Sequence, residues 1–137
     1  MSIKLQLKGL EEMLEKLQAA GKDVDAAAKK CIKESAKIVE KEYVAQMRAS
    51  NVDQGLIDRM DQIRYEIGNN TYAAKIGYKT GNYNPKDLTD GFKAIFINYG
   101  TPRISPREFI AHMKKKAYPQ VKKKQKEIFE EIMGDLQ

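Results

Sequence analysis

Two long stripes of apolar residues at helical spacing, one in each half of the chain, constrain its fold more than any other feature. In the first, Val24, Ala28, Cys31, Ser35, Ile38, Val39, Glu42, Tyr43 and Met47 recur every three or four residues, which predicts a helix over 24–48. Asp23 or Asp25 can cap it. In the second, Phe109, Ile110, Met113, Ala117, Val121, Ile128 and Ile132 fall on one side of a helix over 106–133. Pro106 suits its first turn, whereas Pro119 lies inside it, removes a backbone donor and should kink or divide it. An apolar stripe of this length needs a surface to cover it, and the rest of the chain must supply one.

That surface is predicted to be a sheet. Ile3-Lys4-Leu5-Gln6-Leu7-Lys8 alternates apolar and polar residues over a strand at 2–8, which Gly9 ends. Leu10, Met13, Leu14 and Leu17 then mark a short helix over 10–20, closed by Gly21. A turn of helix is expected around Gly55–Met60. Alternation returns in Ile63–Ile67 and again in Tyr72–Tyr78, a hairpin over 62–79 around Gly68-Asn69-Asn70. Asn69-Asn70-Thr71 matches a glycosylation pattern but is read as turn chemistry. FKAIFIN, rich in β-favouring Phe96 and Ile97, reads as a further strand over 92–99. The expected fold is α+β: an antiparallel sheet of about four strands, packed on one face by the 24–48 helix and the C-terminal helix.

A length of 137 residues and a hydrophobic fraction of 42% suit one domain, 1–137, with a modest core. Aromatic residues make up only 8%, without Trp, so that core should be mostly aliphatic. No apolar run could span a bilayer, and MSIKLQLKGL does not read as a signal peptide, so a soluble intracellular protein with no membrane partner is expected. One Cys and one His exclude a disulfide framework and a Cys/His zinc cluster within the chain. Cys31 is read as a buried small hydrophobe and His112 as an exposed or packing residue. Asp58, Asp61, Glu66, Asp87 and Asp90 fit no calcium-loop spacing. Phosphate-loop, GxGxxG, HExxH and GxSxG motifs are absent, so no enzyme and no cofactor are expected.

Two segments remain as candidate interaction sites. TGNYNPKDLTDG, residues 80–91, is the longest predicted loop, and Asn82, Tyr83, Asn84, Pro85 and Asp87 within it are candidates for contact with another subunit, an inert loop being the alternative. The net charge is +6, with seven lysines between positions 114 and 126: Lys114, Lys115, Lys116, Lys122, Lys123, Lys124 and Lys126. They spread over several helix faces with no DNA-reading motif beside them. A solvated helix exterior explains them, with non-specific contact to DNA or an acidic partner as the alternative.

Three stretches together resemble the tail-completion or head–tail joining proteins of siphovirus-type phages and prophages. LKGLEEMLEKL followed by the Ala-rich helix is similar to the family's opening. Gly55-Leu56-Ile57-Asp58-Arg59-Met60 resembles its "TG-x-L-x-x-S" element, with Gln54 for the Thr and Met60 for the Ser. Ile97-Asn98-Tyr99-Gly100-Thr101-Pro102, leading into Pro106-Arg107-Glu108-Phe109-Ile110, resembles a "Y-V-E-F-G-T" strand end and a "P-x-x-F-hydrophobic" helix start. Asn98 stands where an acidic residue is usual, so no role of that carboxylate carries over. The resemblance implies a virion structural protein, made in the host bacterial cytoplasm and placed at the neck as a minor tail or joining component. It implies a homo-oligomeric ring around the DNA path, with connector, neck and tail-tube proteins and passing DNA as partners. It makes Tyr99, Gly100, Thr101, Pro102, Pro106 and Phe109 the family-motif turn. A small basic nucleic-acid-binding protein using the lysine-rich helix is the alternative.

Overall fold

The computed structural model describes residues 2–7, 11–68 and 71–134. In chain order its elements are β1 (Ser2–Gln6), α1 (Glu11–Ala19), α2 (Val24–Ala49), α3 (Gln54–Asp58), β2 (Asp61–Gly68), β3 (Thr71–Gly77), α4 (Asp90–Tyr99) and α5 (Phe109–Gly134). The fold is α+β, and the described residues form one antiparallel sheet of three strands in the order β1-β3-β2. The expected ends at Lys8 and Gly9, the start at Leu10, the Asn69-Asn70 turn and the tail after Gly134 lie outside the described residues.

β3 is central because its residues tolerate burial on both faces: Ala73, Ala74 and Ile76 are fully buried. Ile3 and Leu5 of β1 pair with Ile76 and Ala74, and Tyr65 of β2 pairs with Ala74 from the other side. These residues share the sheet face that α2 covers. Small Ala28 and Ala36 on α2, both fully buried, let that helix approach the alanines of β3 closely. Asp23 is the N-cap, its carboxylate accepting from Ala26 N–H at 3.1 Å, so Asp25 is not. Asp25 instead accepts from the Tyr72 hydroxyl at 2.6 Å, tying the start of α2 to the sheet.

α5 runs against α2, with Gln125 donating to Ser35 at 3.2 Å and Gln120 to Glu42 at 3.0 Å. The core is less aliphatic at its centre than composition suggests. Tyr43 of α2 is fully buried, with Tyr78 after β3 at 6.3 Å and Phe109 of α5 at 5.8 Å between ring centroids. This cluster joins sheet, second helix and last helix.

Four expectations are corrected. Residues 92–99 are not a strand but belong to α4, so the expected fourth strand is absent among the described residues. The helix forms because Thr89 caps it, its hydroxyl oxygen accepting from Phe92 N–H at 3.3 Å, and Asp90 sits in its first turn, where negative charge is favoured. The loop therefore ends at Thr89 rather than Gly91. α5 begins at Phe109, not Pro106, because Glu108 takes a left-handed conformation, φ 49°, that ends the extended approach. Pro119 does not divide α5, which runs unbroken to Gly134.

Candidate functional site

The motif segment is a joint between two helices rather than between a strand and a helix. α4 ends at Gly100, whose φ of 81° lies in the left-handed region and whose N–H donates to Phe96 O at 2.8 Å. Thr101 and Ile104 then exchange both backbone hydrogen bonds, at 2.8 and 3.1 Å, enclosing Pro102 in a tight turn. Beyond Pro106 the chain comes back against α4: Arg107 N–H donates to Ile97 O and Glu108 N–H to Asn98 O, both at 3.0 Å. Asn98, buried, accepts from Ile110 N–H at 2.9 Å through Oδ1, so a side chain of α4 satisfies an open donor in the first turn of α5. The Arg107 guanidinium donates to Ser50 O at 3.3 Å and Asn51 O at 3.0 Å, just past the C-terminal end of α2. Phe109 is fully buried, whereas Tyr99 is 66% exposed. Of the motif-turn residues only Phe109 is thus buried; Gly100 and Thr101 are half-buried, and Tyr99, Pro102 and Pro106 are exposed, although backbone and side-chain hydrogen bonds tie the segment to α4 and α2.

The loop residues Asn82, Tyr83, Asn84, Pro85 and Asp87 are all exposed. They are locally ordered. Asn84 accepts from Lys86 N–H at 3.0 Å through its side chain and from Asp87 N–H at 3.1 Å through its carbonyl. Tyr83 packs edge-on against Phe92 at 5.2 Å, and the Thr89 hydroxyl donates to Thr80 O at 2.5 Å across the loop base. Asp90, at the start of α4, pairs with Arg59 at 3.1 Å and raises the guanidinium pKa.

The lysines form a different surface. Six of the seven are exposed and Lys124 is half-buried. Among the described residues none of the seven takes part in an ion pair, although seven other pairs are present on the molecule. Lys122 instead lies 4.6 Å over the ring of exposed Tyr118. Lys114, Lys115, Lys122 and Lys126 border an open groove of about 940 Å³, while Lys116, Lys123 and Lys124 stand outside it. Ile3 and Leu5 of β1 line it on one side, Met113, Ala117 and Val121 of α5 on the other, with Val39 of α2 and Met13 of α1 completing the surface.

Among the described residues no three His, Cys, Asp or Glu side chains converge on a metal-sized site. Cys31 is buried, and burial pushes its thiol pKa up, away from reactive thiolate. His112 is exposed. Of the five acidic residues weighed earlier, Glu66 pairs with Lys75 at 2.9 Å, Asp61 accepts from Lys79 N–H at 2.6 Å and Asp58 from Gln54 at 2.7 Å. No helix among the described residues is long and apolar enough to cross a membrane.

Comparison with protein-family models, with curated proteins and with solved structures finds no match for this chain. Sequence reasoning found the lysines and the turn but missed the groove and the capping role of Asn98. Both arise between elements far apart in sequence. The alternation of β1 and the stripe of α5 were each visible, but nothing in either said they face one another.

Proposed function

We propose that this chain is a structural subunit of the head–tail junction of a siphovirus-type phage or prophage, acting in tail completion or head–tail joining as a ring around the DNA path. The observation that carries the reading is the joint from Ile97 to Ile110. The segment with the most specific resemblance is also the one in which Gly100, Asn98, Arg107 and Phe109 fix α5 to α4 and α2. A segment whose hydrogen bonds fix the course of the chain suits a protein whose task is to hold a shape. Exposed Tyr83, Tyr99, Ile104 and Tyr118 offer apolar contact area for neighbouring subunits, and the polar loop of residues 80–89 can order further against one. Partners are other copies of the chain, connector or neck proteins, tail-tube proteins and, without sequence preference, DNA.

The test is electron microscopy of particles made without this gene, with and without a complementing copy. Separate filled heads and finished tails, rescued by the complement, are the expected result. Tails of abnormal length would move the protein to the end of the tail tube, and normal infectious particles would remove the structural reading.

The lysines of α5, which take part in no ion pair among the described residues, favour one second reading, a small basic nucleic-acid-binding protein. It predicts DNA affinity that falls steeply with salt, the slope reporting the phosphates contacted. Charge reversal at Lys122, Lys123 and Lys124 separates the two: loss of DNA retention with particle assembly intact assigns those lysines to DNA and not to ring closure or docking.

A further inference from the structure

β1 is an edge strand, and its outer side faces the groove. Leu7 N–H donates to Tyr72 O at 3.1 Å, in the same register that pairs Leu5 with Ala74 and Ile3 with Ile76. Antiparallel alternation then turns the N–H and C=O groups of Ile3 and Leu5 inward to β3 and those of Lys4 and Gln6 outward. Among the described residues no strand takes them up. Beside this edge lies the groove, lined by Ile3, Leu5 and Gln6 and, across from them, by α5 from Met113 to Lys126. That stretch of helix is about 20 Å long at 1.5 Å per residue, the length of a strand of about six residues.

Charge narrows what can fill the space. On the groove side, Lys114, Lys115, Lys122 and Lys126 stand around an apolar lining without an ion-pair partner among the described residues. On the opposite sheet face Lys4, Lys75 and Arg64 sit in register across the three strands. Among the described residues Glu66 alone pairs with lysines there, Lys75 at 2.9 Å and Lys4 at a longer 3.7 Å. A fourth strand beside β1 would place residues opposite Ile3 and Leu5 under α5 and the residue opposite Lys4 on the cationic face.

We propose that this groove is a strand-acceptor slot, filled by an extended segment of a partner protein in which apolar and acidic residues alternate. Its backbone pairs with Lys4 and Gln6, its apolar side chains lie in the groove against half-buried Ile3 and Leu5 and exposed Tyr118, its carboxylates fall on the opposite sheet face beside Lys4, and the lysines of α5 attract the acidic segment through their net charge. The occupant adds a fourth strand to the sheet. The slot belongs to this chain and does not rest on the phage reading.

The test uses the whole chain and a fluorescein-labelled, end-capped octapeptide of alternating Val and Glu. Saturable binding by anisotropy is expected, weakened by salt, together with at least tenfold slower amide exchange at Lys4 and Gln6 by NMR. The double variant Lys122→Glu/Lys126→Glu changes exposed side chains only, and its fold is checked by circular dichroism; it should bind at least tenfold more weakly. A Val/Lys octapeptide should not bind, and a Val/Glu octapeptide with central Pro should lose binding. No binding at millimolar peptide, equal binding of the Val/Lys or Pro peptide, or binding without protection of Lys4 and Gln6 overturns the proposal.

Discussion

Gly100 shows how one residue sets the course of the second half of the chain. Its φ of 81° is costly for any residue with a side chain, and a Cβ there would stand 2.8 Å from both Ile104 O and Pro106 N. These are backbone atoms of the turn itself, held by the Thr101–Ile104 exchange, so they cannot move aside without opening the joint. Gly100→Val should therefore cost roughly 2–4 kcal/mol, from backbone strain together with overpacking. Urea unfolding followed by circular dichroism measures it, and an unchanged midpoint would remove the joint from the list of structural determinants. The resemblance pointed to Gly100 and to a turn. It could not reveal why Asn98 is buried, because the donor it serves, Ile110 N–H, becomes unsatisfied only once α5 exists.

At the scale of elements, legibility followed period and length. Both long stripes became α2 and α5, and the alternation of Ile3–Leu7 and Ile63–Ile67 became edge strands, because those patterns state directly which side is buried. Residues 92–99 state no such thing. Phe92, Ile95, Phe96 and Ile97 favour a strand locally, but the Thr89 cap and Asp90 start a helix, and Gly91 lets it pass against Lys79 and Thr80, where a Cβ would stand 2.7 Å from Thr80 Cα. A helix decided by its cap and by tertiary contact is not readable from propensity. Pro119 is the reverse case, a local signal that the fold overrode. Its missing N–H leaves the Lys115 carbonyl without its usual helical donor, yet packing of α5 against α2 on both sides of it, at Ala117 and Val121, keeps the helix whole. Pro119→Ala should accordingly stabilise the protein, on the order of 1–3 kcal/mol, and raise the thermal midpoint. A lowered midpoint would mean that the proline ring contributes packing worth more than the hydrogen bond it removes.

For the molecule as a whole, the aromatic cluster decides how cooperatively the parts come apart. Tyr43 and Tyr78 are buried at the meeting point of sheet, α2 and α5, and burial pushes both phenol pKa values well above the ordinary 10.0. Tyr78 also donates to Leu56 O at 2.6 Å, which brings α3 into the same cluster and requires the neutral phenol. A folded-state pKa raised above the unfolded value means that the native state keeps its protons longer than the unfolded chain. The stabilisation is thus fully present below about pH 10 and is lost as pH climbs from there toward the folded values. Because each ionisation would place a charge among Phe109, Met47 and Ile76, the protein should release these two protons by unfolding rather than by titrating in place. Absorbance at 295 nm, followed with far-ultraviolet circular dichroism between pH 9 and 13, checks this across the seven tyrosines. The exposed ones should ionise with helix content unchanged, and the final part of the rise should coincide with a single cooperative loss of helix. If all seven ionise in one step with the helices intact, water already reaches the centre, and α5 cannot be held firmly enough to form a wall of the groove beside β1.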